Sequence, residues 1–331
     1  MDKYYKVLSD AGIEARDMQM LPASWHGDIH FKAKINDTPY SVRFIKDDRE
    51  FNCIPSIIMN NNVLRSQITY GRYLRENDIP FMKSFDFGNN NFILYACIEN
   101  KNYRVVIFEW LQGVCIKSSN EIIAYEIGRL ARQMHDASEQ YSCDNLVEIH
   151  SFREYTLRLN QLKEMINENH INNNNLDLFI ACTEKNIETA FKINRKKIVA
   201  HGDLNFPNLF WNMEFNKITG IVDFDSIGIT TRISDLAWIM KWYSRERGIG
   251  NEVFSVDLVQ RVVDGYGYRE IFNMEDSRYL ISFVWLHSCM NNGFIMNMEN
   301  AIKQKKVNDT LNKYLSRGKD FEMMCRAVKY D

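Results

Sequence analysis

The stretch from Ile198 to Asp225 constrains this chain more than any other. An apolar run leads into His201-Gly202-Asp203-Leu204-Asn205-Phe206-Pro207-Asn208, and Leu209-Phe210-Trp211 follows. After a turn over Glu214 to Lys217, Ile218-Thr219-Gly220-Ile221-Val222 ends on Asp223-Phe224-Asp225. Short apolar runs bounded by turn-forming residues read as loop, strand, turn, strand. Asp203 and Asn208 lie five residues apart across a loop containing Pro207, which can turn both side chains toward one point. When the two strands pair, Asp223 arrives beside Asn208. A carboxylate and an amide carbonyl are hard oxygen ligands that suit Mg²⁺ held jointly with substrate phosphates. Asp203, left off the metal, can accept a hydroxyl proton.

The flanking sequence divides in character. A short helix near Lys3 to Ala11 stops at Gly12. Strands are expected at Phe31 to Ile35 and Tyr40 to Ile45, split by the turn-formers Asn36, Asp37 and Thr38. A helix carrying Val63, Ile68 and Leu74 ends near Asn77 and Pro80. A second hairpin is expected from Phe92 to Ile98 and Tyr103 to Trp110, split by residues 99–102. Beyond Gly113 the pattern turns helical. Ser118 stands three before Glu121, the spacing of a capping box, and Ile123, Ile127, Leu130 and Met134 form one helical stripe. Helical patterns continue over Phe152 to Asn167, Leu176 to Ile193 and most of the chain from 234 onward. The outline is α+β, with a β-rich segment 1–112 and a larger, mostly helical segment 113–331.

Composition narrows the function classes. Among 331 residues, 41 basic and 43 acidic side chains leave a net charge of −2, which removes the broad electrostatic case for nucleic acid or an anionic membrane surface. At 13% aromatic residues the chain is not of the disordered class. No apolar run approaches the roughly 18 residues of a membrane span, and the polar start Met1 to Lys6, without an apolar h-region, does not read as a signal peptide. The cysteines (53, 97, 115, 143, 182, 289, 325) are odd in number and scattered without a CxxC pair. Reduced thiols in the cytoplasm are the expectation.

The order H-x-D-x4-N, hydrophobic strand, D-x-D resembles the catalytic and metal-binding segments of the aminoglycoside phosphotransferase family. The resemblance runs from about residue 20 to 245 and implies a bilobal, protein-kinase-like fold, with 1–112 as nucleotide-binding lobe and 113–331 as catalytic and acceptor-binding lobe. It makes Asp203 the base or hydroxyl-orienting residue, Asn208 and Asp223 the Mg²⁺ ligands, and His201 a brace for the loop. Ser234-Asp235-Leu236-Ala237-Trp238 is similar to the family's D-L-A segment, in which Asp235 supports the catalytic loop from a helix start. Gly202 replaces the Arg of the protein-kinase triplet, which disfavours a protein kinase.

The same resemblance supplies a nucleotide site. Arg43, with Lys46 as competitor, stands where the family holds the nucleotide phosphates. Gln67 stands where its helix partner is normally Glu; a neutral amide can hydrogen-bond Arg43 but not neutralise it. The loop Ser24-Trp25-His26-Gly27-Asp28 falls where kinases cover the phosphates, with Ser24 as its contact. Glu109 and Leu111 belong to a hinge whose backbone would bind adenine. His135 is expected to pack, and Trp285, Asn291 and Asn292 to help build the acceptor pocket.

The implied activity is transfer of the γ-phosphoryl of ATP or GTP, with Mg²⁺, to a hydroxyl of a small molecule. The acceptor is an aminoglycoside-type or related antibiotic (a resistance kinase), or else a metabolite in the manner of choline, homoserine or methylthioribose. A nucleotide-binding pseudokinase regulator is the alternative from another class. Charges past residue 226 are nearly balanced, with no visible concentration of carboxylates for a polycationic acceptor.

Overall fold

Two antiparallel hairpins with two-residue turns organise the first part of the molecule, a computed structural model that describes residues 1–22, 26–51, 54–214 and 216–330. Ile29–Ile35 pairs with Thr38–Lys46 through Asn36 and Asp37, and Leu94–Ile98 with Lys101–Glu109 through Glu99 and Asn100. All four turn residues have positive φ, 49°, 62°, 51° and 61°, as the tight turns that match strand twist require. The second turn is therefore shorter than the expected 99–102. Thr38–Lys46 also pairs with Lys101–Glu109, so the hairpins join into one antiparallel sheet.

A further edge strand, Ala15–Met20, was not expected from sequence. Its residues carry no aromatic or β-branched side chain, and pairing with Ile29–Ile35, with an irregularity between Arg16 and Gln19, holds it extended. Alternation along the strands aims Phe31, Ala33, Val42, Phe44, Val105 and Ile107 into one core. Tyr4 and Leu8 of the Asp2–Asp10 helix close that core, with the Tyr4 ring 5.1 Å from Phe31 and 5.0 Å from Phe44. Arg43, between Val42 and Phe44, consequently faces the other side of the sheet.

The chain divides into two compact units. The first comprises Met1–Val114, Cys143–Val147 and Leu209–Ser226. It thus includes the hairpin Leu209–Asn212 with Lys217–Ile221, whose pairing the sequence called for. The second comprises Cys115–Ser142, Glu148–Asn208 and Ile227–Asp331. At its centre lies the Asp276–Cys289 helix, buried on nearly every side and packed against the helices Asn174–Ala190, Arg232–Tyr243 and Val307–Ala327. A small antiparallel pair, Lys197–Ala200 with Gly228–Thr231, delivers the chain to the His201 loop and to the Arg232–Tyr243 helix. The Glu121–Ser138 helix is capped by Asn120, whose side chain accepts from the Ile123 amide at 2.9 Å. That corrects the expected Ser118 capping box: Glu121 is the first helical residue rather than the third.

The Glu121–Ser138 and Val256–Tyr266 helices approach to backbone contact through two glycines. A Cβ on Gly128 would lie 2.2 Å from the Val262 carbonyl oxygen, and one on Gly265 would lie 2.1 Å from that of Tyr125. Backbone cannot swing away as a side chain can. Gly128→Ala is therefore expected to destabilise the protein by about 2–3 kcal/mol, read as a lower Tm. Ala131→Gly, on the same helix, should cost only about 1 kcal/mol.

Candidate active site

Within the second unit, the Arg232–Tyr243 helix anchors the loop that carries Asp203. Thr231 caps this helix, its hydroxyl accepting from the Ser234 amide at 3.3 Å. Asp235 lies in the first turn, buried. One of its carboxylate oxygens accepts the Gly202 amide at 3.2 Å, and the other meets His135 Nε2 at 3.0 Å. His135 Nδ1 meets the Tyr266 hydroxyl at 2.8 Å, so the ring bridges two helices to the loop. Burial alone would push the Asp235 carboxyl up, but the His135 hydrogen bond and charge hold it below the usual range. The Gly202 carbonyl accepts from His150 at 3.0 Å, and His201 Nδ1 accepts the Asp203 amide at 3.3 Å.

Asp203 ends in a cradle of neutral donors. Asn205 Nδ2 donates to its Oδ1 at 2.8 Å, Trp238 Nε1 to the same oxygen at 3.2 Å, and Asn208 Nδ2 to Oδ2 at 3.2 Å. Asn208 Nδ2 also donates to the Asp203 main-chain oxygen at 2.8 Å, so its amide nitrogen is committed to the loop and its carbonyl oxygen is the atom with which it could meet a cation. Trp238 belongs to the segment noted in the sequence, but its contact with Asp203 is not legible there. It stands three residues after Asp235, one helical turn along the same face.

Within the first unit, Asp223 and Asp225 are neighbours with opposite electrostatics. Asp223 adopts a left-handed backbone, φ 68°, and its Oδ1 accepts the Asp225 amide at 3.1 Å. Burial and the adjacent Asp225 charge raise the Asp223 carboxyl to about 6 in spite of Arg43. A carboxylate so short of counter-charge fits a cation ligand. Asp225 is instead saturated: Arg43 pairs with Oδ2, and Arg49 Nη2 reaches the same oxygen at 2.6 Å. Burial would raise this carboxyl too, but the two guanidiniums overcome it and hold it far below the usual range.

Asp28 completes a buried four-charge network. Its Oδ2 takes Arg43 Nη2 and Arg49 Nη1, each at 2.7 Å. With Gln67 in place of the helix Glu the usual helix ion pair is missing, as expected, and Arg43 takes its neutralising carboxylates from elsewhere. Asp28 and Asp225 supply two, and Gln67 Nε2 donates to the Asp225 carbonyl at 3.3 Å. Neither Asp28 nor Arg49 was singled out as an ion-pair partner, because separations of 15 and 176 residues leave no local pattern.

Of the other expected nucleotide residues, Ser24 lies outside the described residues. Glu109 closes its strand, with its carboxylate on Lys83 at 2.7 Å and its amide on the Lys83 carbonyl at 2.9 Å. Leu111 packs over Gly220, where a Cβ would lie 2.4 Å from the leucine methyl. The expected acceptor-pocket residues lie on the Asp276–Cys289 and Asn292–Gln304 helices and at the junction between them. Trp285 is buried beside Phe179, ring centroids 5.6 Å apart. Asn291 caps the Asn292–Gln304 helix, accepting from Phe294 at 3.0 Å, and Asn292 accepts from Arg158 at 2.9 Å. Among the described residues, no cluster of three or more His, Cys, Asp or Glu side chains offers a metal site.

Residues 63–276, more than half of the chain, match the model of the phosphotransferase enzyme family, and the chain belongs to that family. No curated protein matches the sequence. Among solved structures, the chain is similar to the amicoumacin kinase hAmiN in complex with AMP-PNP, Ca²⁺ and Ami (TM-score 0.66, 12% identity, covering 95% of this chain and 90% of that one). It is also similar to a microcompartment-associated aminopropanol kinase (TM-score 0.66, 14% identity, 94% and 91%). A third likeness is to the AMP-bound spectinomycin phosphotransferase APH(9)-Ia (TM-score 0.60, 13% identity, 99% and 98%). At these identities the likeness is one of fold, and the fold is the kinase-like α+β fold of the family.

Two predictions separate the paired from the unpaired carboxylates. Asp28→Asn leaves two buried guanidiniums sharing Asp225, and a loss of roughly 3 kcal/mol is expected in denaturant unfolding. Asp223→Asn should instead stabilise the protein at pH 7.5 by on the order of 1–2 kcal/mol, allowing for its partial exposure. A carboxyl whose folded pKa is raised to about 6 costs stability above that pH. The gain should shrink as pH falls through 6 toward 4. Equal Tm differences between wild type and variant at pH 7.5 and 4.5 would contradict this.

Proposed function

We propose that the protein is a small-molecule kinase, transferring the γ-phosphoryl of ATP or GTP to a hydroxyl. The observation that carries this reading is the Asp203 carboxylate, held by Trp238, Asn205 and Asn208 on a loop locked by Asp235, in a chain of the phosphotransferase family. In the reaction the acceptor oxygen forms a bond to the γ-phosphorus as the bond from phosphorus to the β–γ bridging oxygen breaks. The nucleoside diphosphate leaves, and the hydroxyl proton passes to Asp203. The three donors fix the carboxylate's rotamer, which sets the direction from which it meets the hydroxyl.

Asn208 and Asp223 are the proposed ligands of Mg²⁺, which when bound neutralises phosphate charge. An amide whose nitrogen is committed to the loop and a carboxylate short of counter-charge both suit that role. Arg43, Ser24, Glu109 and Leu111 are the proposed nucleotide contacts, with Arg43 set in place by Asp28 and Asp225. His201, Asp235 and Gln67 support the loop and the Asp225 backbone. The proposed lobe boundary at 112 and 113 follows from the same reading.

The acceptor is a small hydroxylated molecule, either an antibiotic of aminoglycoside or related type or a metabolite. The solved structures similar in fold include kinases named for each. A cytoplasmic setting is in keeping with the free thiols at six described cysteines. No helix among the described residues is long and apolar enough to cross a membrane.

Mass spectrometry of antibiotics, amino alcohols and hydroxy acids incubated with protein, Mg²⁺ and ATP or GTP tests the reading. A phosphorylated product from wild type, reduced at least 100-fold in Asp203→Ala, is expected. Equal product from both proteins would remove Asp203 from the chemistry. Nucleotide binding without product or hydrolysis would favour the regulator.

A further inference from the structure

The helix that anchors the Asp203 loop carries a second chemical feature on the same face. Past Asp235 and Trp238 come Lys241 and Trp242 and then, just beyond the last turn, Arg245. These positions step by three or four residues, so they form one stripe leading away from Asp203. Lys241 is 6% exposed and Arg245 7%. Neither side chain makes a hydrogen bond or ion pair with any described residue. The Lys241 ammonium sits 4.0 Å over the Trp238 ring, the indole whose N–H holds Asp203, and 5.2 Å over Trp242. The Arg245 guanidinium lies 5.4 Å from the Trp242 centroid and 5.8 Å from that of Phe254, and its Nε is buried without a partner.

Nearby charges do not balance these two. Arg317 adds a third cation, but it is already bonded to Glu252, Nε to Oε2 at 2.8 Å. Asp203 is the other carboxylate within reach, and three neutral donors already hold it. The histidines around Trp238 add no positive charge: burial drives His150 below its ordinary value and His287 well below. Three cations therefore stand against two carboxylates, with Lys241 and Arg245 placed over aromatic faces. Burial and Arg245 push the Lys241 ammonium down to about 7 against the pull of Asp203, the direction expected of a buried cation short of counter-charge. Such a pair is costly to maintain without an anion, and replacing buried charges by apolar isosteres is often stabilising.

Resting on the kinase reading above, we infer that Lys241 and Arg245 form the anion-binding end of the acceptor site, so that the phosphorylated molecule carries a carboxylate or phosphate besides its hydroxyl. The hydroxyl meets Asp203 at the edge of the Trp238 indole, and the anionic group meets Lys241 on its face. That span suits a chain of roughly three to six carbons. A polycationic acceptor is disfavoured at this end, since it would meet like charge at Lys241 and Arg245.

The test uses the full chain and two readouts. In turnover, hydroxy acids of three to six carbons are compared with their primary amides and with amino alcohols of equal length. Sugar phosphates against free sugars form the arm that distinguishes phosphate from carboxylate. The anionic member should lead by about tenfold or more in kcat/KM, through KM, and Lys241→Met with Arg245→Met should reduce the lead below threefold, the anionic acceptors losing far more kcat/KM than the neutral ones. The double variant should melt no lower than wild type; a lower Tm with unchanged discrimination would make the cations structural and overturn the inference. Preference for the amides or amino alcohols, with turnover still dependent on Asp203, overturns it and leaves the kinase reading standing.

The second readout needs no acceptor. Iodide should quench the tryptophan emission that differs between wild type and the double variant several-fold better than neutral acrylamide does. Equal quenching by the two agents, or a double variant that responds as wild type, overturns the anion site whatever turnover shows. Absence of any Asp203-dependent turnover strikes the kinase reading instead.

Discussion

The hydrogen bond from the Gly202 amide to Asp235 is the constraint on which the placement of Asp203 depends. A loop containing a left-handed glycine, Gly202 at φ 75°, is pinned by a buried carboxylate whose second oxygen is held by His135. Because Asp235 belongs to a helix capped at Thr231 and packed along the buried Asp276–Cys289 helix, the loop takes its position from the core. The same helix sends Trp238 to the Asp203 carboxylate. One rigid element thus fixes both the backbone and the side chain of Asp203, the proposed base, and such fixing reduces the ordering cost of any reaction it takes part in.

The first unit solves a different electrostatic problem. Two buried arginines share two buried carboxylates, and each charge has at least two opposite neighbours. Only with such density of partners is burial of four charges tolerable. Asp223 stands two residues from this network and is excluded from it, so burial and the Asp225 charge raise its carboxyl rather than lower it. Saturated and unsaturated carboxylates side by side are the pattern by which environment gives two identical groups different work. Asp225 supports, and Asp223 is left in want of a cation.

What the sequence revealed follows from what is local. Hairpins at Asn36-Asp37 and Glu99-Asn100 are written in adjacent residues, as is the H-x-D-x4-N order. The helix start at Ser234-Asp235 was legible for the same reason. Ala15–Met20 was not, because its extended form comes from a neighbouring strand rather than from its own side chains. Ser118 misled because a spacing of three is common, whereas the cap itself depends on the backbone geometry of Asn120. Asp28 and Arg49 were hidden by distance along the chain. Gln67 pointed to a deficit of charge at Arg43, but residues on other loops made it good. That Leu209–Ser226 belongs to the first unit was equally invisible, since compactness is set by contacts and chain order carries no record of them.

The near balance of charge after residue 226 concealed the most specific feature. A total cannot report which charges are paired: Glu252 is spent on Arg317, Asp276 on Arg195, and Asp235 on His135 and Gly202. Once those pairs are removed, the helix face beyond Trp238 is left positive, although the segment around it is neutral. Binding sites depend on this local remainder, because burial amplifies an unpaired charge while solvent screens exposed ones. A helix needed to hold a loop in place can therefore also set the chemistry of what approaches it. Its first turn is committed to structure and its last turn to charge.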